Sequence, residues 1–229
     1  MEAILQKTNL KPDASLFLSV VKACDSKETI DYGRLLHRQI IYWGYELETQ
    51  LVNALINMYC KCGLIEAAEE VFNMLSIKDV ISWTALIAGY VEYGDSSKAL
   101  KYFEEMKAAG VSPNAHTFAS SLKACGTVGT IDKVDEIYTE IRRKGILEKD
   151  VVIGNTLVDI YGKCGLLENA QSIFNELLVR NVVTWSALIS GYAQHGHGDK
   201  ALNCYELMLS EGILPNAVTF ICILQACGR

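Results

Sequence analysis

Proline is scarce, at three in 229 residues, which leaves little room for a flexible interdomain linker. No apolar run approaches the ~18 residues that a membrane span requires, so no membrane partner is expected. The eight cysteines never form a CxxC step and the four histidines never form an HxE step. A phosphate-cradling Gly-rich loop and a nucleophile elbow are both missing. No catalytic centre, no metal site and no cofactor are therefore expected. Basic residues are also in deficit, at 21 against 27 acidic ones, giving a net charge of −6. That is the reverse of the basic footprint of most nucleic-acid binders. The opening stretch MEAILQKTNL lacks the basic, serine-rich, acid-poor character of a transit peptide and the apolar run of a signal peptide. Any targeting sequence is expected to be absent from this chain.

What fills the chain instead is a copy of itself. VISWTALIAGY from Val80 returns as VVTWSALISGY from Val182, and NALINMYCKCG from Asn53 returns as NTLVDIYGKCG from Asn155, each 102 residues later. Self-similarity at a fixed period marks an array of stacked units whose function lies on a shared surface. Cutting at the recurring starts gives 14–48, 49–79, 80–114, 115–150, 151–181 and 182–216, of 35, 31, 35, 36, 31 and 35 residues. Residues 1–13 match the last part of a unit and 217–229 only the first part, so both ends read as cut from a longer array.

Within one unit, Trp83, Leu86, Ile87 and Tyr90, then Ala99, Tyr102, Phe103 and Met106, recur at helical spacing, with Gly94 between the runs and Gly110 and Pro113 closing the second. Each unit predicts two antiparallel helices. Neither buries its apolar stripe alone, but stacked hairpins share one core and line a concave surface with their first helices. One continuous elongated domain over 1–229 is expected. Cys24, Cys125 and Cys227 fall at one place in three units, and Cys62 and Cys164 at another, so the cysteines read as small packing thiols in a reducing compartment. His37, His116, His195 and His197 are scattered, without the neighbours of a triad or a zinc site. Trp83 and Trp185 sit on the apolar stripe and read as core residues, not as stacking platforms.

A 35-residue unit such as VISWTALIAGYVEYGDSSKALKYFEEMKAAGVSPN resembles the pentatricopeptide repeat family, and alternation with 31-residue units containing MYCKCGLIEAAEEVFNMLSIKD resembles its plant PLS subclass. On that resemblance 14–48 and 115–150 are L motifs, 49–79 and 151–181 are S motifs and 80–114 and 182–216 are P motifs. Residues 1–13 are then a partial P motif and 217–229 a partial L motif. The fold implied is all-α, a right-handed α-solenoid (superhelix) of stacked helix-turn-helix repeats. The function implied is sequence-specific binding of single-stranded RNA, one base per repeat. The role implied is recognition in an organellar C-to-U RNA editing or processing factor, in mitochondrion or chloroplast. Deaminase ligands do not occur before Arg229, so the chain itself is expected not to be an enzyme.

The fifth residue of each first helix is Asn53, Thr84, Asn155 or Ser186, and the last residue of the same units is Asp79, Asn114, Asn181 or Asn216. Such short amides, hydroxyls and carboxylates can meet a Watson–Crick edge. The family's pairing code, carried onto these positions, implies uracil for Asn53 with Asp79 and adenine for Thr84 with Asn114. It implies a pyrimidine, cytosine preferred, for Asn155 with Asn181, and adenine for Ser186 with Asn216. Leu18 with Glu48 and Ala119 with Asp150 receive no base, so the site is 5′-nUAnCA-3′. Second-position Ile81, Val152 and Val183 fit the family's base clamp, whereas Gln50 and His116 depart from it. Lys61 and Lys163 occupy equivalent places near the end of a first helix, within reach of phosphate, where Glu92 and Gln194 stand in the P motifs.

At ~1–3 kcal/mol per clamped base, four positions give roughly 4–12 kcal/mol against ~4–15 kcal/mol for association, so this segment alone is expected to bind at micromolar affinity or weaker. The alternative reading is a protein-interaction scaffold that docks accessory organellar editing-factor proteins through the apolar Leu18 and Ala119 of the L motifs. The uncovered helix AVTFICILQACG at 217–228 adds a third partner, a second copy joined head to tail, or else frays.

Overall fold

The computed structural model describes residues 12–228 except Lys27 and Leu47; the partial motif at 1–13 falls almost wholly outside the described residues. Thirteen helices and no strand occur among the described residues. Their contacts group into two compact units, Met1–Ser121 and Leu122–Arg229, where the sequence reading expects one continuous domain.

The first unit contains α1 (Ala14–Ala23), α2 (Ile30–Tyr42), α3 (Thr49–Lys61), α4 (Ile65–Met74), α5 (Val80–Tyr93) and α6 (Ser96–Ala108), and it ends within α7 (Ala115–Val128). Helices α3 and α4 form one hairpin and α5 and α6 the next. The first helices also pack on one another, α1 on α3 and α3 on α5. The second unit continues with α8 (Ile131–Arg143), α9 (Val151–Lys163), α10 (Leu167–Glu176), α11 (Val182–Gln194), α12 (Gly198–Ser210) and α13 (Ala217–Cys227). There α9 packs on α11 and α11 on α13, with α10 and α12 as the second helices of their hairpins.

These helices begin and end where local chemistry dictates. Asp79 caps α5 and Asp95 caps α6 by accepting the Ser82 and Lys98 N–H groups at 2.8 and 2.9 Å. Helix α5 stops at Gly94, whose φ of 98° turns the chain left-handed, a conformation that disfavours any residue with a Cβ. The apolar stripes then meet. Leu86, Ile87, Tyr90, Ala99, Phe103 and Met106 are all buried, as their spacing predicts. Trp83 and Trp185 are core residues too, set edge-on to Phe72 at 4.8 Å and to Phe174 at 4.6 Å.

Where the first helices approach most closely, side chains run out. A Cβ on Gly191 of α11 would lie 2.9 Å from the Gly162 Cα of α9. In the equivalent contact of the first unit, Cys60 of α3 meets Gly89 of α5, and its thiol is turned toward the Ala85 carbonyl at 3.7 Å. Burial pushes the Cys60 thiol up to about 12. Cys24, Cys62, Cys125, Cys204 and Cys222 are buried, but the packing role expected of all the cysteines is corrected at Cys164 and Cys227, which are exposed. Equivalent sequence places thus do not guarantee equal burial, because burial depends on what the neighbouring hairpin lays over them. All eight cysteines are free thiols.

Candidate nucleic-acid interface

Four polar residues stand immediately before first helices and act as their N-caps. Asp79 Oδ1 accepts from the Ser82 N–H at 2.8 Å, Asn114 Oδ1 from Thr117 at 2.9 Å, Asn181 Oδ1 from Val183 and Thr184 at 2.9 and 3.1 Å, and Asn216 Oδ1 from Thr219 at 3.0 Å. Only an oxygen can accept a backbone N–H, so capping fixes how each side chain is turned. The asparagines keep Nδ2, a donor, away from the helix. Asp79 keeps a second oxygen, an acceptor, in that place.

Against these caps lie the fifth-position residues of the preceding first helices. Asn53 Nδ2 on α3 donates to both Asp79 carboxylate oxygens at 3.3 Å, and Asn155 Nδ2 on α9 donates to Asn181 Oδ1 at 3.4 Å. On α5 and α11 the contact passes through one more hydroxyl. Thr84 Oγ1 lies 2.6 Å from Thr117 Oγ1, which donates to Asn114 Oδ1 at 3.0 Å. Ser186 Oγ lies 2.7 Å from Thr219 Oγ1, which donates to Asn216 Oδ1 at 3.1 Å. The structure therefore brings together all four pairs that the sequence spacing singles out, two directly and two through a relay.

The fifth-position side chains do not stand free in a groove. Asn53, Asn155 and Ser186 are only 6%, 9% and 5% exposed, and Thr84 is half-buried. Their hydrogen-bonding groups are taken up between hairpins, since a short polar side chain at a helix-helix contact must find a partner when water is excluded. One group is left over. Thr184 Oγ1 donates to Asn155 Oδ1 at 2.5 Å, but Ser82, its counterpart, turns its hydroxyl to the Asp79 carbonyl at 2.8 Å. Asn53 Oδ1 is consequently buried without a partner.

The hydroxyl residues Ser82, Thr117, Thr184 and Thr219 beside the caps, all fully buried, are absent from the sequence-based site. Their signal was present: each lies three residues after a last-position Asp or Asn, the spacing of a capping box. At Asn114, Asn181 and Asn216 the box is reciprocal, because the threonine hydroxyl also accepts the cap's own N–H at 3.2, 3.1 and 3.2 Å.

Second-position Ile81, Val152 and Val183 are 54%, 57% and 52% exposed. Gln50 and His116 are exposed as well. Leu18 and Ala119, the apolar fifth-position residues of 14–48 and 115–150, are half-buried and bring no polar group to the caps. The two lysines differ. Lys163 Nζ lies 2.6 Å from Asp159 Oδ2, one helical turn before it, whereas Asn57 takes that place before the exposed Lys61. Among the described residues no group of three or more His, Cys, Asp or Glu side chains is placed to hold a metal ion, and no helix is long and apolar enough to cross a membrane.

Helical hairpins packed first helix on first helix, four of them carrying a fifth-position side chain joined to the next cap, define the class: an α-helical repeat protein of the solenoid type. The chain belongs to the pentatricopeptide repeat (PPR) family. The PPR repeat family matches residues 78–127 and 180–229, and a second PPR repeat description matches 51–80 and 155–182. The chloroplastic pentatricopeptide repeat-containing protein At1g08070 of Arabidopsis thaliana is 39% identical over 227 residues, covering 98% of this chain and 30% of that protein. The mitochondrial At4g19191 of the same plant is 34% identical over 226 residues, covering 99% and 35%. The chain thus spans about a third of the length of the curated relatives it matches. Among solved structures, the pentatricopeptide repeat protein PPR10 in complex with an 18-nt psaJ RNA element superposes with a TM-score of 0.76 at 18% identity, over 98% of this chain and 34% of that one. A cysteine-to-serine variant of PPR10 with the same RNA element gives 0.81 at 21% identity, with the same coverage. These likenesses confirm the all-α solenoid fold.

Proposed function

We propose that this chain binds single-stranded RNA, one base per hairpin, with the pairs Asn53/Asp79, Thr84/Asn114, Asn155/Asn181 and Ser186/Asn216 selecting 5′-nUAnCA-3′. The observation that carries the reading is the repeated joining of a fifth-position side chain to a last-position cap, four times over. A base edge then meets the part of each cap that its helix does not use, Nδ2 of an asparagine or the second oxygen of Asp79. The buried partner holds that edge in one orientation, so the cap is pre-organised at no cost on binding. Exposed Ile81, Val152 and Val183 beside the caps supply apolar faces between which bases can be held. The RNA-bound state of the PPR10 structures supports the choice of ligand.

The same reading takes 14–48, 49–79 and 80–114, and again 115–150, 151–181 and 182–216, as L, S and P motifs, and places the protein in mitochondrion or chloroplast as its plant relatives are named. Its biological role is then the recognition step of C-to-U editing or transcript processing. Lys61 is the better phosphate contact of the two lysines. The exposed Val218, Phe220, Ile221 and Leu224 of α13 support head-to-tail association through that face. In vitro selection of RNA ligands tests the proposal. Enrichment of U, A, C and A at the second, third, fifth and sixth positions is the expected result. Equal competition by a scrambled RNA overturns the assignment.

A further inference from the structure

The 102-residue repeat places Tyr102 of α6 and Cys204 of α12 at the same position of two equivalent hairpins. In the first unit the Tyr102 ring stacks on Tyr90, with centroids 5.4 Å apart and planes 15° from parallel, and meets Phe72 edge-on at 6.0 Å. Its hydroxyl donates to Glu69, which also accepts from Tyr90. In the second unit the surrounding residues are retained as Tyr192, Phe174 and Trp185, with Gln171 in place of Glu69. Lys200 lies over the Tyr192 ring at 5.5 Å as Lys98 lies over Tyr90 at 5.1 Å. The ring between them is gone. What remains is a cleft of about 400 Å³, lined by apolar Phe174, Trp185, Leu188, Tyr192 and Cys204 and also by polar Gln171, Lys200, Asn203 and the Arg180–Glu211 ion pair.

We propose that this cleft is a binding site for a phenolic ring, seated against Tyr192 as Tyr102 is seated against Tyr90, with its hydroxyl donating to Gln171 Oε1. That amide oxygen accepts the Tyr192 hydroxyl at 3.0 Å and has a second lone pair to offer. Volume does not limit the site, since an engineered apolar cavity of ~150 Å³ already takes up benzene. Stacking and edge-on contacts of the kind Tyr102 makes favour an aromatic ring over an aliphatic one of equal size. Binding is non-covalent. Burial pushes the Cys204 thiol up to about 11, so it stays protonated and un-nucleophilic at neutral pH. The ring arrives either as a free small phenol or as a tyrosine side chain carried on a polypeptide.

The test is titration of the chain with p-cresol, followed by the indole N–H resonance of Trp185, with that of Trp83 as internal reference. A saturable shift at Trp185 alone is expected, retained in Cys204→Ser and lost in Cys204→Tyr, which places the repeat's own ring in the cleft. Cys204→Phe serves the same purpose if the tyrosine variant does not fold. Toluene, which lacks the hydroxyl, is expected to bind several-fold more weakly. Saturable binding of N-acetyl-tyrosinamide as well as p-cresol identifies a polypeptide tyrosine as the source, and binding of p-cresol alone identifies a free phenol. No Trp185 shift up to the solubility limit of p-cresol, or an equal shift in the folded Cys204→Tyr and Cys204→Phe variants, overturns the proposal.

Discussion

Asp79→Asn separates the two tasks that this residue performs. Oδ1 caps α5 through the Ser82 N–H at 2.8 Å, and an asparagine oxygen can do the same, as Asn181 does for α11. What changes is the other edge, from an acceptor to a donor, so Asn53 with residue 79 becomes chemically the pair that Asn155 forms with Asn181. The stability cost is the loss of a negative charge at a helix N-terminus, ~0.3–1 kcal/mol, together with the Asn53 Nδ2 bond to the second Asp79 oxygen at 3.3 Å. For a chain of this size the lost charge by itself lowers Tm by roughly 2–4 °C at most. The specificity change is larger. A well-placed side-chain contact to a base edge discriminates by ~1–3 kcal/mol, roughly 5- to 150-fold. Preference at the second position of nUAnCA is therefore expected to move from uracil toward cytosine by at least fivefold, with other positions unchanged. Fluorescence anisotropy with labelled RNAs that differ only at that base, at one fixed salt concentration, measures the ratio. If the folded variant keeps the parent's uracil-to-cytosine ratio within about twofold, less than the smallest discrimination such a contact provides, the cap's outer edge does not read the base.

Glu69 carries the clearest acid sensitivity. Hydrogen bonds from the Tyr102 and Tyr90 hydroxyls, with Lys98 nearby, hold its carboxyl below the ordinary value of 4.5. The folded state therefore binds that proton less readily than the unfolded chain, so the stabilisation is complete above pH 4.5 and is lost as pH falls through the lower folded value. Glu69→Gln should flatten the acid limb of urea-denaturation stability; an unaltered limb would count against this network. Gly191→Ala inserts a Cβ 2.9 Å from the Gly162 backbone and should destabilise the contact of α9 with α11 by ~1–3 kcal/mol, seen as a lower Tm; an unchanged Tm refutes the close approach. Lys61→Ala should reduce the salt dependence of RNA affinity by ~0.7 in log–log slope, and Lys163→Ala by less, because Asp159 already holds that ammonium; equal slopes would refute the distinction.

The sequence by itself determined the helices, their order and most of the core. Trp83, Leu86, Ile87 and Tyr90 announce their common face through spacing alone, because helical periodicity is local and any residue on the apolar stripe must be covered. It also singled out the positions that the structure pairs, Asn53 with Asp79 and Ser186 with Asn216, through recurrence at one place in successive units.

Only the tertiary structure decided how those pairs are joined and how much of them is left to solvent. Partners 26 to 33 residues apart are set by the stacking of hairpins, so the relays through Thr117 and Thr219 and the burial of Asn53 depend on distances no single helix specifies. The same holds where repeats that match in text differ in space. Cys62 is buried and Cys164 exposed, and Tyr102 fills a space that Cys204 leaves open. Period fixes which face a residue occupies, whereas the volume and partners it finds there belong to the neighbouring hairpin.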